Sequence, residues 1–336
     1  MTPLITGVLG LTLVAILIAA VQHWRARRTI AAMSTLMMAG EHDRVLAHRA
    51  PPKAYRPLAD RLRATSALLT GRNDLALRLL DTGRVSAAVA GQVGAIDLHL
   101  RAGALIAMGR YGEAVAVLGD DPSGAIARHQ RAQIGVETGD DATALRLLEV
   151  PDTEPDEEAG RLRILGDLHI RRGRLSEGEA LVRRARAAYA VSAMPAHEVD
   201  TGYCHYHLGE AALARTDAAG ALAQLTTALA LLSVRPDNAP GLATVHARLG
   251  EAYALSGKPE PAQQHLHEAR QFCERVGSPS LSSMVERSHG LVALHLGRVE
   301  DARRHLSNAR AGHLALAETP AADWIAGLLT ELDATS

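Results

Sequence analysis

Three stretches of the chain hold residue types that perform metal or hydrolytic chemistry. His267-Glu268 begins like a zinc-protease helix, where two histidines four residues apart hold the metal and the glutamate is the base. Position 271 is Gln271, so the second ligand is missing. Cys204, His205 and His207 form a second group. On a helix Cys204 and His207 share a face and His205 points elsewhere, so two ligands converge where zinc takes three or four. His265 and His267 diverge in the same way. The sequence has no GxxxxGKS or GxxxxGKT phosphate loop, no GxGxxG after a strand and no CxxC pair. The expectation is a protein that is not an enzyme, with no catalytic residue, no metal ligand set and no cofactor.

Composition narrows the class further. Of 336 residues, 47% are hydrophobic and 3% aromatic, so the core must be built from Leu, Ala and Val. That suits closely packed helices and disfavours a β-sandwich, which draws on β-branched and aromatic residues. The formal net charge of −1 carries no nucleic-acid signature, and no nucleic-acid partner is expected. Two cysteines, Cys204 and Cys273, do not make a disulfide framework.

What positions these residues is a repeated pattern. Its clearest copy runs from Thr244 to Phe272, with Leu249-Gly250, Tyr253, Gly257, Ala262, Leu266 and Ala269. The same offsets recur around Gly290, Gly209 and Gly166, and the anchor glycines are 43, 41 and 40 residues apart. Gly250 and Ala262 are small where two antiparallel helices cross closely. Leu249, Tyr253, Leu266 and Ala269 form the buried stripe. Gly257 ends the first helix in a left-handed turn, and Pro259 and Pro261 open the second. Such a hairpin cannot bury its apolar face alone, so its neighbours must stack on it.

The pattern resembles the tetratricopeptide repeat (TPR) family, in the longer variety of about 40 residues found in bacterial and kinesin-associated arrays. It departs from the family in carrying His205 or His246 where a large aromatic is usual. The resemblance implies an all-α, right-handed α-solenoid of helical hairpins whose first helices line a concave groove. It implies that offsets −6, −3, +1, +4 and +5 from the anchor glycine face that groove. Here those positions hold Arg163, Asp167 and Arg171, then Tyr203, Tyr206 and Glu210, then Glu251, then Arg287 and His295. Tyr and Arg are common binding hot spots, and mixed charge beside aromatic rings suits a peptide or helix.

The remaining segments divide the chain. Residues 4–21 are 18 consecutive residues without a charge, the length of a short membrane span, so the lipid bilayer is an expected partner. Trp24 follows at the interfacial position, then Arg25, Arg27 and Arg28. A cleaved signal peptide would have a basic start, which this segment lacks. The charge asymmetry predicts one transmembrane helix within residues 1–24, with the N-terminus outside and the repeats cytoplasmic. Residues 25–149 read as degenerate hairpins with turn glycines at Gly40, Gly71, Gly109 and Gly139 and caps at Asp74 and Asp141. An acidic linker is expected over 150–159, four strong repeats over 160–312 and a capping helix over 313–336. The function this supports is a membrane-anchored scaffold or adaptor that binds an unknown protein or peptide. The alternative is a peptide- or ligand-sensing regulatory module; an enzyme with a site between repeats is a third and weaker reading.

Overall fold

Each anchor glycine meets the residue sixteen positions further along. A Cβ on Gly166 would stand 2.6 Å from Val182, one on Gly209 2.6 Å from Leu225, and one on Gly290 2.7 Å from Leu306. One on Gly250 would stand 3.0 Å from Leu266. The two helices of a hairpin therefore cross so closely that a side chain at the anchor would force its neighbour on the second helix to shift. The structure, a computed structural model, describes residues 21–52, 55–82, 90–120, 122–191, 197–234 and 238–334.

Every regular element among these residues is a helix. The helix over 21–38, α1, pairs with α2 (His42–Ala47). The next hairpins are α3 (Arg56–Leu69) with α4 (Asn73–Thr82), α5 (Ala90–Ala107) with α6 (Tyr111–Leu118), and α7 (Ala125–Thr138) with α8 (Asp141–Leu148). The four strong repeats are α9 (Pro155–Arg171) with α10 (Leu175–Val191), α11 (His197–Ala214) with α12 (Ala218–Leu232), α13 (Ala239–Leu255) with α14 (Pro259–Val276), and α15 (Pro279–His295) with α16 (Val299–Ala315). Helix α17 (Thr319–Ala334) closes the series. The irregular spacing before residue 150 has a simple cause. Second helices there have 6 to 10 residues, against 15 to 18 in the strong repeats. The expected membrane span at 4–21 lies, but for Val21, outside the described residues. No helix among the described residues is long and apolar enough to cross a membrane.

Four sequence expectations shift by a few residues. Pro155 opens α9, so only the first half of the acidic 150–159 stretch lies outside helices; Asp156, Glu157 and Glu158 fill the helix's first turn, where negative charge complements the dipole. Asp141 does not cap α8. Its neighbour Asp140 accepts the Thr143 N–H as the cap, and Asp141 pairs with Arg172 at 2.6 Å. Asp74 sits inside the first turn of α4, which begins at Asn73. His313 still belongs to α16, and the final helix starts at Thr319.

Where other repeats turn on Gly173, Gly257 and Gly297, all with φ between 70° and 76°, the second strong repeat has Thr216 at φ 57°. A left-handed β-branched residue costs about 1 kcal/mol. Thr216→Gly is therefore expected to raise stability by about that much, read as a higher denaturant midpoint at unchanged slope. A lower midpoint would refute the strain.

The array comes round on itself. Turn glycines of the early hairpins meet the ends of late helices: Gly71 packs on Val276, Gly109 on Leu316 and Gly139 on Pro320. Ser278 donates to the Ala107 carbonyl at 2.6 Å, and Tyr111 donates to Glu318 at 2.6 Å. Glu318, buried at 2% exposure, also accepts from Ser280 and pairs with His313. Burial alone would raise the Glu318 carboxyl, and its bonds to His313, Ser280 and Tyr111 hold it below its ordinary value instead.

The positions that carry His in place of the usual aromatic are packed inside hairpins: His205 lies 2.8 Å from Gln224, and His246 lies 2.9 Å from His265, which stacks on Tyr253. His289, at the offset that Leu249 holds, stacks on His305. Burial, then His265, pushes His246 down to about 4; burial, Arg270 and His305 push His289 down to about 4. A base with a depressed folded value stabilises the fold fully above its unfolded value near 6.5 and loses that contribution as pH falls. Stability is expected to decline from about pH 6.5 towards 4, and His246→Gln with His289→Gln to flatten the decline. Equal slopes in denaturant midpoints against pH would exclude these two histidines as the cause.

Candidate functional site

The concave face holds a chain of alternating charges that crosses five helices. Arg171 on α9 bonds Glu137 of α7 at 2.9 Å and Asp167 one turn back at 3.0 Å. Asp167 faces His207 of α11 at 3.4 Å, and His207 faces Glu210 at 3.3 Å. Arg248 of α13 then pairs with Glu210 at 3.1 Å and with Glu251 at 2.6 Å. Glu251 accepts from Ser288 of α15. The series follows a rule in the repeat: the acid one residue after an anchor glycine meets the donor two residues before the next anchor. Asp167 meets His207, Glu210 meets Arg248, and Glu251 meets Ser288.

Burial sets the electrostatics of this ladder. It would raise the Asp167 carboxyl, but Arg171 and His207 outweigh it and hold Asp167 well below the usual carboxylate range. Burial would lower His207, but Asp167 and Glu210 raise it above the ordinary imidazole value. Glu210 is lowered against its burial by His207 and Arg248. Glu137 goes the other way, raised because burial exceeds what Arg171 returns. Burial pushes the Tyr206 hydroxyl, a donor to Glu210 at 2.9 Å, above its ordinary value.

Asp167, His207 and Glu210 each bring one ligand atom within 4.8 Å of the others, a third ligand more than the sequence reading of Cys204 and His207 allowed. His207 turns to the carboxylates, and Cys204 is buried between α9, α10 and α11, its thiol pushed by burial up to about 12. Glu210 three residues on was readable as a helical neighbour; Asp167, from the preceding hairpin, was not. Arg171 and Arg248 already neutralise both carboxylates, so the group acts first as a bridge between repeats.

Around the ladder lies a cavity of about 340 Å³, adjoined by a second of about 310 Å³ that shares Glu137, Arg171, Glu210, Arg248 and Arg287. The structure brings five of the nine expected groove residues into the first: Arg171, Glu210, Glu251, Arg287 and His295. Tyr206 lines the second, and Asp167 lies behind Arg171 in the ladder. Arg163 and Tyr203 line neither. The Arg163 guanidinium lies 5.9 Å from the Tyr203 ring and bonds Tyr189, and the Tyr203 hydroxyl reaches Asn238 at the start of α13. Both wedge one repeat against the next. Sequence reasoning missed Arg248 and paired His207 with Cys204 rather than with the two carboxylates; the offset of −2 that Arg248 and His207 share was the available signal. It also missed Trp324, which α17 brings to the cavity, since no repeat spacing points to a closing helix.

The architecture is thus an all-α solenoid of TPR-like helical hairpins. Two solved structures share it: a Rap protein complexed with competence and sporulation factor, and a chain of the Cut9–Hcn1 hetero-tetramer of the APC/C. The Rap match has a TM-score of 0.54 and 11% identity, covering 93% of this chain and 98% of that one. The Cut9–Hcn1 match has a TM-score of 0.51 and 16% identity over 80% of this chain, which spans about half (48%) of the other's length. No protein-family model matches the chain, and no curated protein matches it.

Proposed function

We propose that the chain is a membrane-anchored interaction module that takes a segment of a partner protein, or a free peptide, into its concave face. The observation that carries this reading is the cavity enclosed by the inner helices, where the ladder satisfies its own charges and leaves shaped space beside it. The side towards α3, α5 and α7 offers Asn73, Gln133, Tyr206 and Thr244, groups able to bond an extended backbone. The Rap protein of the same fold was solved in complex with competence and sporulation factor. The uncharged 4–21 segment and the arginines after it support a bilayer anchor with the repeats on the cytoplasmic side.

A photo-crosslinking residue placed at Thr244, against one at the exposed outer position Arg183, tests the site in intact membranes. A discrete adduct from position 244 and none from 183 is the expected outcome. Adducts from position 183 alone would move the binding surface to the outside of the array. Protease protection of the repeats in right-side-out vesicles tests the orientation, and their digestion there would reverse it.

A further inference from the structure

The two sides of the concave face differ in what they leave unpaired. On the side towards the ends of α11, α13 and α15, Leu213, Leu255 and Leu291 face Trp324 of α17. Among the described residues lining that side there is no Asn, Gln, Ser or Tyr, and the Thr216 hydroxyl is already donated to the Arg215 carbonyl, so little there can bond a peptide backbone. Its cations are accounted for one by one. Arg171 has Glu137 and Asp167, Arg172 has Asp141, and Arg248 has Glu210 and Glu251. Arg287 has none. The ladder ends at Ser288 because the position after the last anchor glycine, which elsewhere holds Asp or Glu, is Leu291. Among the described residues the Arg287 guanidinium makes no ion pair and no hydrogen bond. It lies 5.8 Å from the Trp324 ring, and its Nε is out of reach of water without a partner. His295, two turns along α15, is a second donor on the same wall.

We infer that this side of the cavity is a binding site for a small amphiphile with one acidic head, a carboxylate on an aliphatic body. The head occupies the fork of Arg287, whose planar donors match a carboxylate with two parallel bonds. The Trp324 ring holds the guanidinium in place by cation–π contact. The aliphatic body lies against the three leucines, where burial of apolar surface supplies the rest of the affinity. One charge and one apolar wall define the ligand class: an acid with no second polar group, distinct from the partner segment proposed for the other side. This inference does not depend on that partner, and the crosslinking outcome leaves it where it is.

Trp324 makes the test direct, because Trp24 is the other tryptophan and can be removed. In a Trp24→Phe chain, octanoate, octanamide and octylammonium are titrated against Trp324 fluorescence, with octyl sulfate as a second acid. A saturable change with octanoate at least tenfold tighter than with octanamide, and none with octylammonium, is expected. Arg287→Met, which keeps the apolar volume of the side chain, should bring octanoate to the level of octanamide; Arg287→Lys should restore part of the difference. Helical circular dichroism and the denaturant midpoint confirm folding of each variant. Equal binding of acid and amide, undiminished octanoate binding by Arg287→Met, or a response that never saturates would each overturn the assignment. Tighter binding of octyl sulfate than of octanoate would keep the anion seat and overturn the carboxylate as its occupant.

Discussion

Replacing Arg248 with alanine is expected to destabilise the protein by about 3–5 kcal/mol, the range for removing one partner of a buried ion pair. Arg248 is 6% exposed and serves two carboxylates, Glu210 and Glu251, on adjacent repeats. Its loss leaves Glu251, itself 5% exposed, with Ser288 as its remaining bonded partner. Denaturant unfolding at neutral pH measures the loss. Glu251→Gln in the same chain should return a substantial part of it, because it removes the charge that was left behind. If Arg248→Ala costs under about 1 kcal/mol, water has taken over the solvation of both acids and the ladder adds no stability of its own.

The second large effect is expected at Glu318. Alanine there removes the acceptor shared by Tyr111, Ser280 and His313, and leaves a buried hydroxyl and a buried imidazole without their partner. Hydrogen bonds to charged groups are worth about 1.5–3 kcal/mol each and do not add fully, so a loss of about 3 kcal/mol is expected. Because Tyr111 stands on an early hairpin and Glu318 on the last turn before α17, the variant should also expand. Small-angle scattering would register a larger radius of gyration for Glu318→Ala, while Glu318→Gln stays near the parent. Unchanged dimensions and stability in the alanine variant would mean that the packing of Gly109 on Leu316 and Gly139 on Pro320 suffices to hold the ends together.

How far the sequence reaches depends on the range of the interaction. The anchor glycines and the stripe residues sixteen positions on, such as Gly250 with Leu266, were legible because helix crossing within a hairpin is a local rule with a fixed spacing. The left-handed turn at Gly257 and the helix start at Pro259 were legible for the same reason. Of the groove residues, Arg171, Glu210, Glu251, Arg287 and His295 reach the cavity because the spacing that buries one face of a first helix presents the other. Arg163 and Tyr203 stay out of the cavity because partners elsewhere take them up: Arg163 bonds Tyr189 and lies on the Tyr203 ring, and the Tyr203 hydroxyl reaches Asn238 at the start of α13. Arg248 escaped notice, and His207 was read beside Cys204, because the role of both is set by acids about 40 residues earlier. Trp324 and Glu318 owe their places to the return of the chain upon itself, which no period in the sequence encodes.

That return changes how the chain must fold. In a linear array each unit touches its immediate neighbours, so order can start in any hairpin and spread from it. Here Tyr111 bonds a residue 207 positions away, and the entropy of closing so long a loop is met before the contact returns anything. The seam between early turns and late helices should therefore form last and open first. Amide exchange in the native protein would show the turn at 109–111 and the segment at 316–320 losing protection together, as one cooperative unit assembled from opposite ends of the array.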